Sequence, residues 1–139
     1  MTQEEKELLL KDLCGRLPYG VKVELHDEVC TLLGYFADFV MLTSNTPMGQ
    51  QTNIANIKPY LRPMSSMTEE EEKEVNKLLG YRKNINDYGS ILCSGWNGDV
   101  IVNIDVIVSY LNWLNAHHFD YRGLIEMGLA LEAPEEMYK

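Results

Sequence analysis

The first apolar residues of the chain recur at the spacing of one helix face, and they are Leu9, Leu10, Leu13, Cys14 and Leu17. Thr2 followed three residues later by Glu5 is the capping-box pattern that begins many helices. Gly15 and Pro18 then disfavour further helix. This pattern predicts an N-terminal helix that ends close to Pro18.

The apolar spacing changes from helical to alternating after Gly20. Val21, Val23 and Leu25 alternate with polar residues, which is typical of a half-buried strand. Residues 29–35 and 39–43 are predicted as two further strands that flank a turn. The sequence therefore predicts a meander of short strands directly after the first helix.

The end of this strand region is less regular. Residues 45–53 are rich in Asn, Thr, Pro, Gly and Gln, so we predict an exposed loop there, followed by a short fourth strand at residues 54–57. Pro59 and Pro63 remove backbone donors and restrict the residues that precede them. We therefore interpret residues 58–63 as a rigid exit from the sheet rather than as a strand.

Helix signals dominate the second half of the chain. Thr68 with Glu71 is a second capping box, and Gly80 is placed to end that acidic helix. Residues 90–93 and 100–102 are predicted to pair as a hairpin, because an Asn-Gly turn lies between them. Two further helices are predicted, and their capping residues are Asp105 and Asp120, with Gly128 ending the second.

These elements predict an α+β fold in a single domain that covers residues 1–139. The sheet is expected to be small and antiparallel, with four or five strands, and a partly open barrel is one form it could take. An N-terminal helix, a central acidic helix and a C-terminal helical region complete the prediction.

Composition limits the classes of function. The net charge of −9 and the pI near 4.7 argue against direct nucleic-acid binding, which needs clustered Lys and Arg. Cys14, Cys30 and Cys93 form no CxxC pair, which favours free thiols in a reducing compartment. No apolar run approaches about 18 residues, so we expect a cytoplasmic protein that does not span the membrane.

The adjacent residues His117 and His118 are the first candidates for chemistry. Successive helical residues point about 100° apart, so both cannot bind one metal from regular helical geometry. A hydrolase would use one histidine as base, Asp120 to orient it, and Cys93, Ser94 or Ser109 as nucleophile. No GxSxG motif surrounds these nucleophiles. We therefore favour packing and helix capping for the histidines, and we predict no metal and no cofactor.

Aromatic residues supply a second set of candidates. Trp96 lies between glycines in a predicted turn, where it could act as a contact anchor or fold back over the sheet. Tyr35, Phe36 and Phe39 could form a recognition patch, although we favour packing in the core. Arg122 could bind a phosphate or carboxylate, but an ion pair with Asp120 is the simpler expectation.

Three blocks of sequence resemble a known family, and they are EEKELLLKDLCGRLPYGVKV (residues 4–23), IKPYLRPMSSMTEEE (57–71) and WLNAHHFDYRGLIEMGLALEAPEEMY (113–138). Together they resemble a family of small proteins, without an assigned activity, that phages and prophages of gut Bacteroidales carry. The resemblance implies phage origin and a location in the bacterial host cytoplasm. It carries over no site residue, and it leaves residues 24–56 and 72–112 as the segments in which function is expected.

The sequence is thus best explained by a non-enzymatic phage accessory protein. It would bind a host or phage protein, or a small ligand, through sheet and loop surfaces, and self-association stays open. The candidate binding residues are Tyr35, Phe36, Trp96, His117, His118 and Arg122. Two alternatives are an acidic nucleic-acid mimic that inhibits a host defence protein and a metal- or His-dependent hydrolase.

Overall fold

The computed structural model describes residues 1–78 and 104–139. The chain forms two compact units, one made of Met1–Met64 with Asn115–Lys139 and the other of Ser65–Leu114. The predicted α+β class is confirmed, because the described residues form three α-helices and a seven-stranded sheet that does not close into a barrel.

The bounds of the elements are as follows. The helices are α1 (Gln3–Arg16), α2 (Glu69–Leu78) and α3 (Ile104–Ala116). The strands are β1 (Lys22–Leu25), β2 (Glu28–Phe36), β3 (Phe39–Leu42), β4 (Gln50–Asn53), β5 (Lys58–Pro63), β6 (Phe119–Asp120) and β7 (Leu131–Glu132). Short 3₁₀ turns cover Leu17–Tyr19, Ile54–Asn56 and Met64–Ser66.

The first helix begins as the sequence predicts. The Thr2 side chain accepts a hydrogen bond from the Glu5 amide at 3.1 Å, and the Glu5 carboxylate accepts one from the Thr2 amide at 2.7 Å. Leu9 and Leu13 are buried on the face that α1 turns to the sheet. The helix therefore covers one face of the sheet, which we call the inner face.

The sheet is mixed rather than purely antiparallel. Its strand order is β4-β3-β2-β1-β5-β6, and β7 also pairs with β5. Strands β1 to β4 form antiparallel pairs, and β1 is antiparallel to β5. The prediction missed β6 and β7, which are parallel to β5 and only two residues long. Such short strands carry no alternating pattern that a sequence could show.

The position of the fourth strand was predicted wrongly. The polar residues Gln50–Asn53 form β4, and Ile54–Asn56 form a 3₁₀ turn. The Asn53 side chain accepts a hydrogen bond from the Ala55 amide at 2.9 Å, which starts this turn, and Ile54 is buried beneath it. The edge position of β4 explains the error, because an edge strand with few apolar contacts needs no apolar alternation.

Residues 58–63 were also predicted wrongly, because they form strand β5, which pairs with β1 on one side and with β6 and β7 on the other. Pro59 is the second residue of this strand and Pro63 is the last. Between them, the Arg62 amide donates to the His118 carbonyl at 2.7 Å, and the Leu61 carbonyl accepts from the Ala133 amide at 2.8 Å. The prolines therefore lie near the strand ends, where a missing donor disturbs the sheet least.

The core of the first unit lies between the inner face of the sheet, α1 and the C-terminal segment. The strands contribute alternating residues, and the helix contributes Leu9 and Leu13. The buried apolar cluster also contains Ile54, Ile57, Leu124, Leu129 and Ala130. The C-terminal segment is thus part of the same core as the N-terminal helix.

Residues 121–128 do not form the short helix that the sequence predicts. They form turns, and Gly128 has a positive φ of 77°. The Asp120 carboxylate accepts hydrogen bonds from the amides of Leu124 at 2.9 Å and Ile125 at 3.0 Å. Asp120 therefore caps a compact turn, since its two oxygens satisfy the donors that a helix would have used.

The second unit contains α2 and most of α3. Thr68 and Glu71 form the predicted capping box at the start of α2, with distances of 3.2 Å and 3.1 Å. Val75 is buried, and Trp113 Nε1 donates to Glu74 Oε2 at 3.3 Å. The predicted hairpin of residues 90–93 and 100–102, and the predicted helix end at Gly80, lie outside the described residues. None of the helices in the described ranges has both the length and the apolar character that crossing a membrane requires.

Candidate functional site

His118 is a buried packing residue. Its imidazole stacks on the ring of Tyr138, with 3.6 Å between the ring centroids and 15° between the planes. Burial lowers the pKa of His118 to about 4, and the positive charge of Arg16 adds to this effect. His118 is therefore neutral at physiological pH, and its backbone has a positive φ of 63°.

Tyr138 fixes the C-terminal segment to the sheet. Its hydroxyl donates a hydrogen bond to the Tyr60 carbonyl at 2.8 Å and accepts one from the Lys22 amide at 2.9 Å. Burial raises the pKa of this phenol to about 12. The hydroxyl therefore satisfies one acceptor on β5 and one donor at the start of β1.

A buried ion pair connects α1 to the same segment. Arg16 Nε lies 2.7 Å from Asp12 Oδ2, and both side chains are fully buried. Arg16 Nη2 also donates to the Phe119 carbonyl at 2.6 Å and to Asp12 Oδ1 at 3.0 Å. Sequence reasoning missed this pair; the only signal was opposite charges at i and i+4 on a helix face that also carries Leu9 and Leu13.

Arg122 was expected to pair with Asp120 but pairs with Asp12 instead. Arg122 Nε lies 3.3 Å from Asp12 Oδ1, and its guanidinium lies 5.3 Å from the Tyr121 ring centroid. Asp120 is held by the two backbone donors that it caps. Arg122 therefore helps to neutralise a buried carboxylate, in addition to the contact made by Arg16.

Of the candidate partners of the two histidines, only Asp120 lies in the same described unit. The carbonyl of His117, which is partly buried, accepts a hydrogen bond from Arg62 Nη1 at 3.5 Å. Of the hypothetical nucleophiles, Cys93 and Ser94 lie outside the described ranges and Ser109 lies in the other unit. Residues 1–78 and 104–139 contain no cluster of three or more His, Cys, Asp or Glu that could bind a metal.

Phe36 is exposed because β2 contains a bulge. Leu32 pairs with Leu42, but Gly34 pairs with Met41, so β2 has one extra residue, Leu33, between them. A bulge places two residues of one strand opposite one residue of its partner, and this shifts the alternation of side chains that follow. As a result Phe36 lies on the outer face of the sheet, away from α1.

The exposed residues of β2 and β3 form what we call the outer patch. Their side chains project from the face of the sheet that α1 does not cover, and Met41 borders them. The members of the outer patch and their exposed fractions are Val29 at 55%, Leu33 at 56%, Phe36 at 78% and Phe39 at 42%. The expectation that Phe36 and Phe39 pack in the core was therefore wrong.

Tyr35 belongs to the opposite face. It pairs with Val40, which is buried in the core, and it lies at the margin of the inner face with nearly half of its surface exposed. The interaction with the Cys14 thiol of α1 raises the pKa of the Tyr35 phenol. Tyr35 and Phe36 were proposed together from sequence, but the structure places their side chains on different faces.

Polar residues border the outer patch on both sides. On β1, Lys22 pairs with Thr31 and Glu24 pairs with Val29. On β4, Gln51 pairs with Met41 and Asn53 pairs with Phe39. An apolar centre with a polar margin is the usual composition of a surface that binds another protein.

A cavity of about 380 Å³ lies at the start of β4. Its lining residues are Glu28, Cys30, Thr43, Ser44, Asn45, Thr46, Gly49 and Gln50. The side-chain amide of Gln50 donates through Nε2 to the Cys30 sulfur at 3.4 Å and to the Thr43 carbonyl at 2.9 Å. Burial raises the pKa of the Cys30 thiol, and the Glu28 carboxylate adds to this effect. The thiol is therefore a packing group rather than a reactive thiolate.

The candidate residues thus separate into three groups. His117, His118 and Arg122 hold the C-terminal segment, Phe36 lies in the outer patch, and Tyr35 lies at the inner margin. Trp96 lies outside the described residues. No protein-family model matches the chain, and neither a similar curated protein nor a similar solved structure was found.

Proposed function

We propose that this chain is a binding protein that engages a partner protein through the outer patch. The observation that carries the proposal is the exposure of Phe36, which at 78% is the most exposed member of the outer patch. The phage and host-cytoplasm setting that the sequence resemblance implies is part of the same proposal. The histidines and Arg122 support the fold of the C-terminal segment and are not assigned to binding.

The size of the outer patch supports this role. A buried aromatic residue removes roughly 150–250 Å² from water. When the exposed fractions of the four patch residues are applied to side chains of about this size, the patch offers about 400 Å² of apolar surface. This is in the range of the largest patch on a typical monomer, and such patches often have a function.

The scarcity of charged residues around the outer patch also supports a role in protein binding. Residues 28–57 contain no Lys or Arg, and their only charged residues are Glu28 and Asp38. The centre of a protein interface is depleted of charged residues and enriched in aromatic ones. The region of β2, β3 and β4 has this composition, although the whole chain carries a net charge of −9.

Site-specific photocrosslinking tests the proposal in the bacterial host. A photoreactive phenylalanine analogue would replace Phe36, and the matched control would carry it at Met127, which is 47% exposed on the C-terminal segment. We expect one protein to crosslink from position 36 and not from position 127. The crosslink should disappear when Phe39 is also replaced by Ser.

Two results would contradict the proposal. One is the same set of crosslinked proteins from positions 36 and 127, which would indicate random encounters. The other is a position-36 crosslink whose yield does not change with Phe39→Ser. Circular dichroism and thermal denaturation of each variant ensure that only folded protein is compared.

A further inference from the structure

Gly34 is an interior residue of β2 that lies on the outer face of the sheet. It pairs with Met41. Two positions along the same ladder Phe36 pairs with Phe39, so Gly34 and Phe36 face the same side. The φ angle of Gly34 is not positive. Within the described residues, no atom beyond its chain neighbours lies within 4 Å of the place that a Gly34 β-carbon would take. Neither its φ angle nor its packing therefore requires a glycine.

A glycine inside a strand has a cost that calls for an explanation. It has no side chain to pack, and it loses more backbone freedom on folding than any other residue. Such a glycine often marks a bulge or a place where another chain approaches closely. The bulge at Leu33 does not explain Gly34, because the bulge type that demands glycine places it in the left-handed region. The close approach of another molecule is the explanation that fits.

The outer patch thus carries a projecting ring next to an open position. Phe36 is 78% exposed, and Gly34 lies two residues before it on the same face. When two sheets pack face to face, about 10 Å apart, a large side chain on one sheet needs a small residue opposite it on the other. A two-fold axis between positions 34 and 36 places Phe36 of each copy over Gly34 of the other. The patch is therefore complementary to itself.

We propose that the partner of the outer patch is a second copy of this chain, with Phe36 of each copy packed on Gly34 of the other. The inference rests on the proposed function, because it names the partner of the same surface. An interface between identical chains is about 65% apolar, so about 400 Å² of apolar surface corresponds to about 600 Å² per copy and about 1,200 Å² in the pair. This total is the lower limit of a standard specific interface. We therefore expect a reversible dimer with a dissociation constant in the micromolar range.

The distribution of charge permits this pairing, although each copy has a net charge of −9. Glu28 and Asp38 are the only charged residues between positions 28 and 57, so most of the negative charge belongs to other parts of the chain. The repulsion between two copies thus comes mainly from outside the contact, and salt screens it. The dimer should become more stable as the salt concentration rises, whereas a partner held by opposite charges would bind less tightly.

Sedimentation velocity of the full chain across the micromolar concentration range tests the inference. Gly34→Ala and Gly34→Val fill the open position with side chains of increasing size. Because a β-carbon at position 34 meets no other part of the described chain and valine favours strands, the unfolding free energy of the monomer should stay the same or rise. Met127→Ser is the matched control for Phe36→Ser, because it removes an exposed apolar residue outside the outer patch.

We expect the wild type and Met127→Ser to dimerise and Phe36→Ser to stay monomeric. The dimer should weaken about tenfold in Gly34→Ala and about a hundredfold in Gly34→Val, because the added carbons occupy the space of the other copy's ring. A purely structural role of Gly34 would instead change the unfolding free energy and leave association unaffected. In a mixture of ¹³C-labelled and unlabelled protein, nuclear Overhauser effects should connect the Phe36 ring of one copy to the Gly34 α-protons of the other.

The inference is overturned if the wild type stays monomeric across this range, if Gly34→Val dimerises as tightly as the wild type, or if the dimer weakens as salt rises. A monomeric chain from which another protein crosslinks at position 36 would overturn the second copy as partner and leave the proposed function standing. Dimers that persist in Phe36→Ser would show that the copies meet through another surface, which also overturns the inference. The absence of both dimer and crosslink would contradict both proposals.

Discussion

The Tyr138 ring lies flat on the imidazole of His118, with 3.6 Å between the centroids, although β6, a turn segment and β7 separate the two residues in sequence. This contact joins the end of the chain to the residue that precedes β6. Because the imidazole is buried and its pKa is lowered to about 4, the stack contains a neutral histidine. The HHFDYR segment therefore contributes to folding through packing and hydrogen bonds.

Acid should weaken the fold through His118. The pKa of His118 is about 4 in the folded protein and about 6.5 in the unfolded chain, so the unfolded state binds more protons between these values. Stability is therefore complete above about pH 6.5 and falls as the pH is lowered towards 4. With allowance for partial solvent screening, we expect His118 to account for a loss of about 2 kcal/mol.

Urea denaturation at pH 7, 6, 5 and 4 measures this loss. The matched variant is His118→Asn, because Asn tolerates the positive φ and does not titrate in this range. Its unfolding free energy should fall less with acid than that of the wild type. Parallel pH profiles for the two proteins would show that His118 does not contribute.

Removing the Tyr138 hydroxyl should expose a specific backbone amide. In Tyr138→Phe the ring still stacks on His118, but the Lys22 amide and the Tyr60 carbonyl lose their partner. We expect a destabilisation of about 1–3 kcal/mol, because buried polar groups are left unsatisfied. Hydrogen exchange should accelerate at the Lys22 amide more than at the Leu32 amide, which bonds to the backbone instead. Equal acceleration at both amides would indicate only global destabilisation.

Removing one charge of the buried Asp12–Arg16 ion pair should strongly lower the free energy of unfolding. Arg16→Met leaves the Asp12 carboxylate buried with Arg122 as its remaining cation, and it removes the donor to the Phe119 carbonyl. We expect a loss of about 3–5 kcal/mol in the free energy of unfolding. Replacing both residues, as in Asp12→Leu with Arg16→Met, should cost less, since no unpaired carboxylate is then buried.

Arg122→Met is the control for that prediction. This side chain is one-third exposed, and its Nε lies 3.3 Å from Asp12, so its loss should cost about 1 kcal/mol. Chemical denaturation of the four proteins gives the comparison. An Arg16→Met variant as stable as Arg122→Met would contradict the role of Arg16 as the main partner of Asp12.

Deleting Leu33 should remove the bulge and keep the fold. Gly34 would then follow Leu32 in regular alternation, so Tyr35 would still pair with Val40 and Phe36 would stay on the outer face. Cross-strand nuclear Overhauser effects between β2 and β3 test this register. A protein in which Phe36 becomes protected from solvent would show that β2 had changed register, and this would contradict the assignment of Leu33 as the extra residue.

The bulge also explains what the sequence could and could not predict about the outer patch. The positions of β1, β2 and β3 follow from alternation and were predicted correctly to within a few residues. In strict alternation, however, Phe36 would share the inner face with Cys30 and Leu32. One extra residue in β2 places Phe36 on the outer face instead. Neither the composition nor the residue spacing of the sequence identifies Leu33 as that extra residue.

The remaining errors have a similar physical origin. Strands β4 and β5 were missed because polar residues and prolines usually interrupt sheets, whereas here tertiary pairing overrides both tendencies. The Asp12–Arg16 pair was missed because burial of a charged helix residue depends on contacts from Phe119 and Arg122, more than 100 residues away. The two capping boxes at Thr2 and Thr68 were reliable signals, whereas the single capping residues were not: Asp120 caps a turn, and α3 begins at Ile104, before Asp105.

The most direct test of the outer patch is the affinity of the partner identified by crosslinking for a Phe36→Ser/Phe39→Ser variant. Both side chains are largely or partly exposed, so the variant should fold normally, and Met127→Ser serves as the control. Burying two aromatic side chains in an interface predicts about a hundredfold loss of affinity for the double variant and none for the control. A folded double variant that binds the partner as tightly as the wild type would contradict the account.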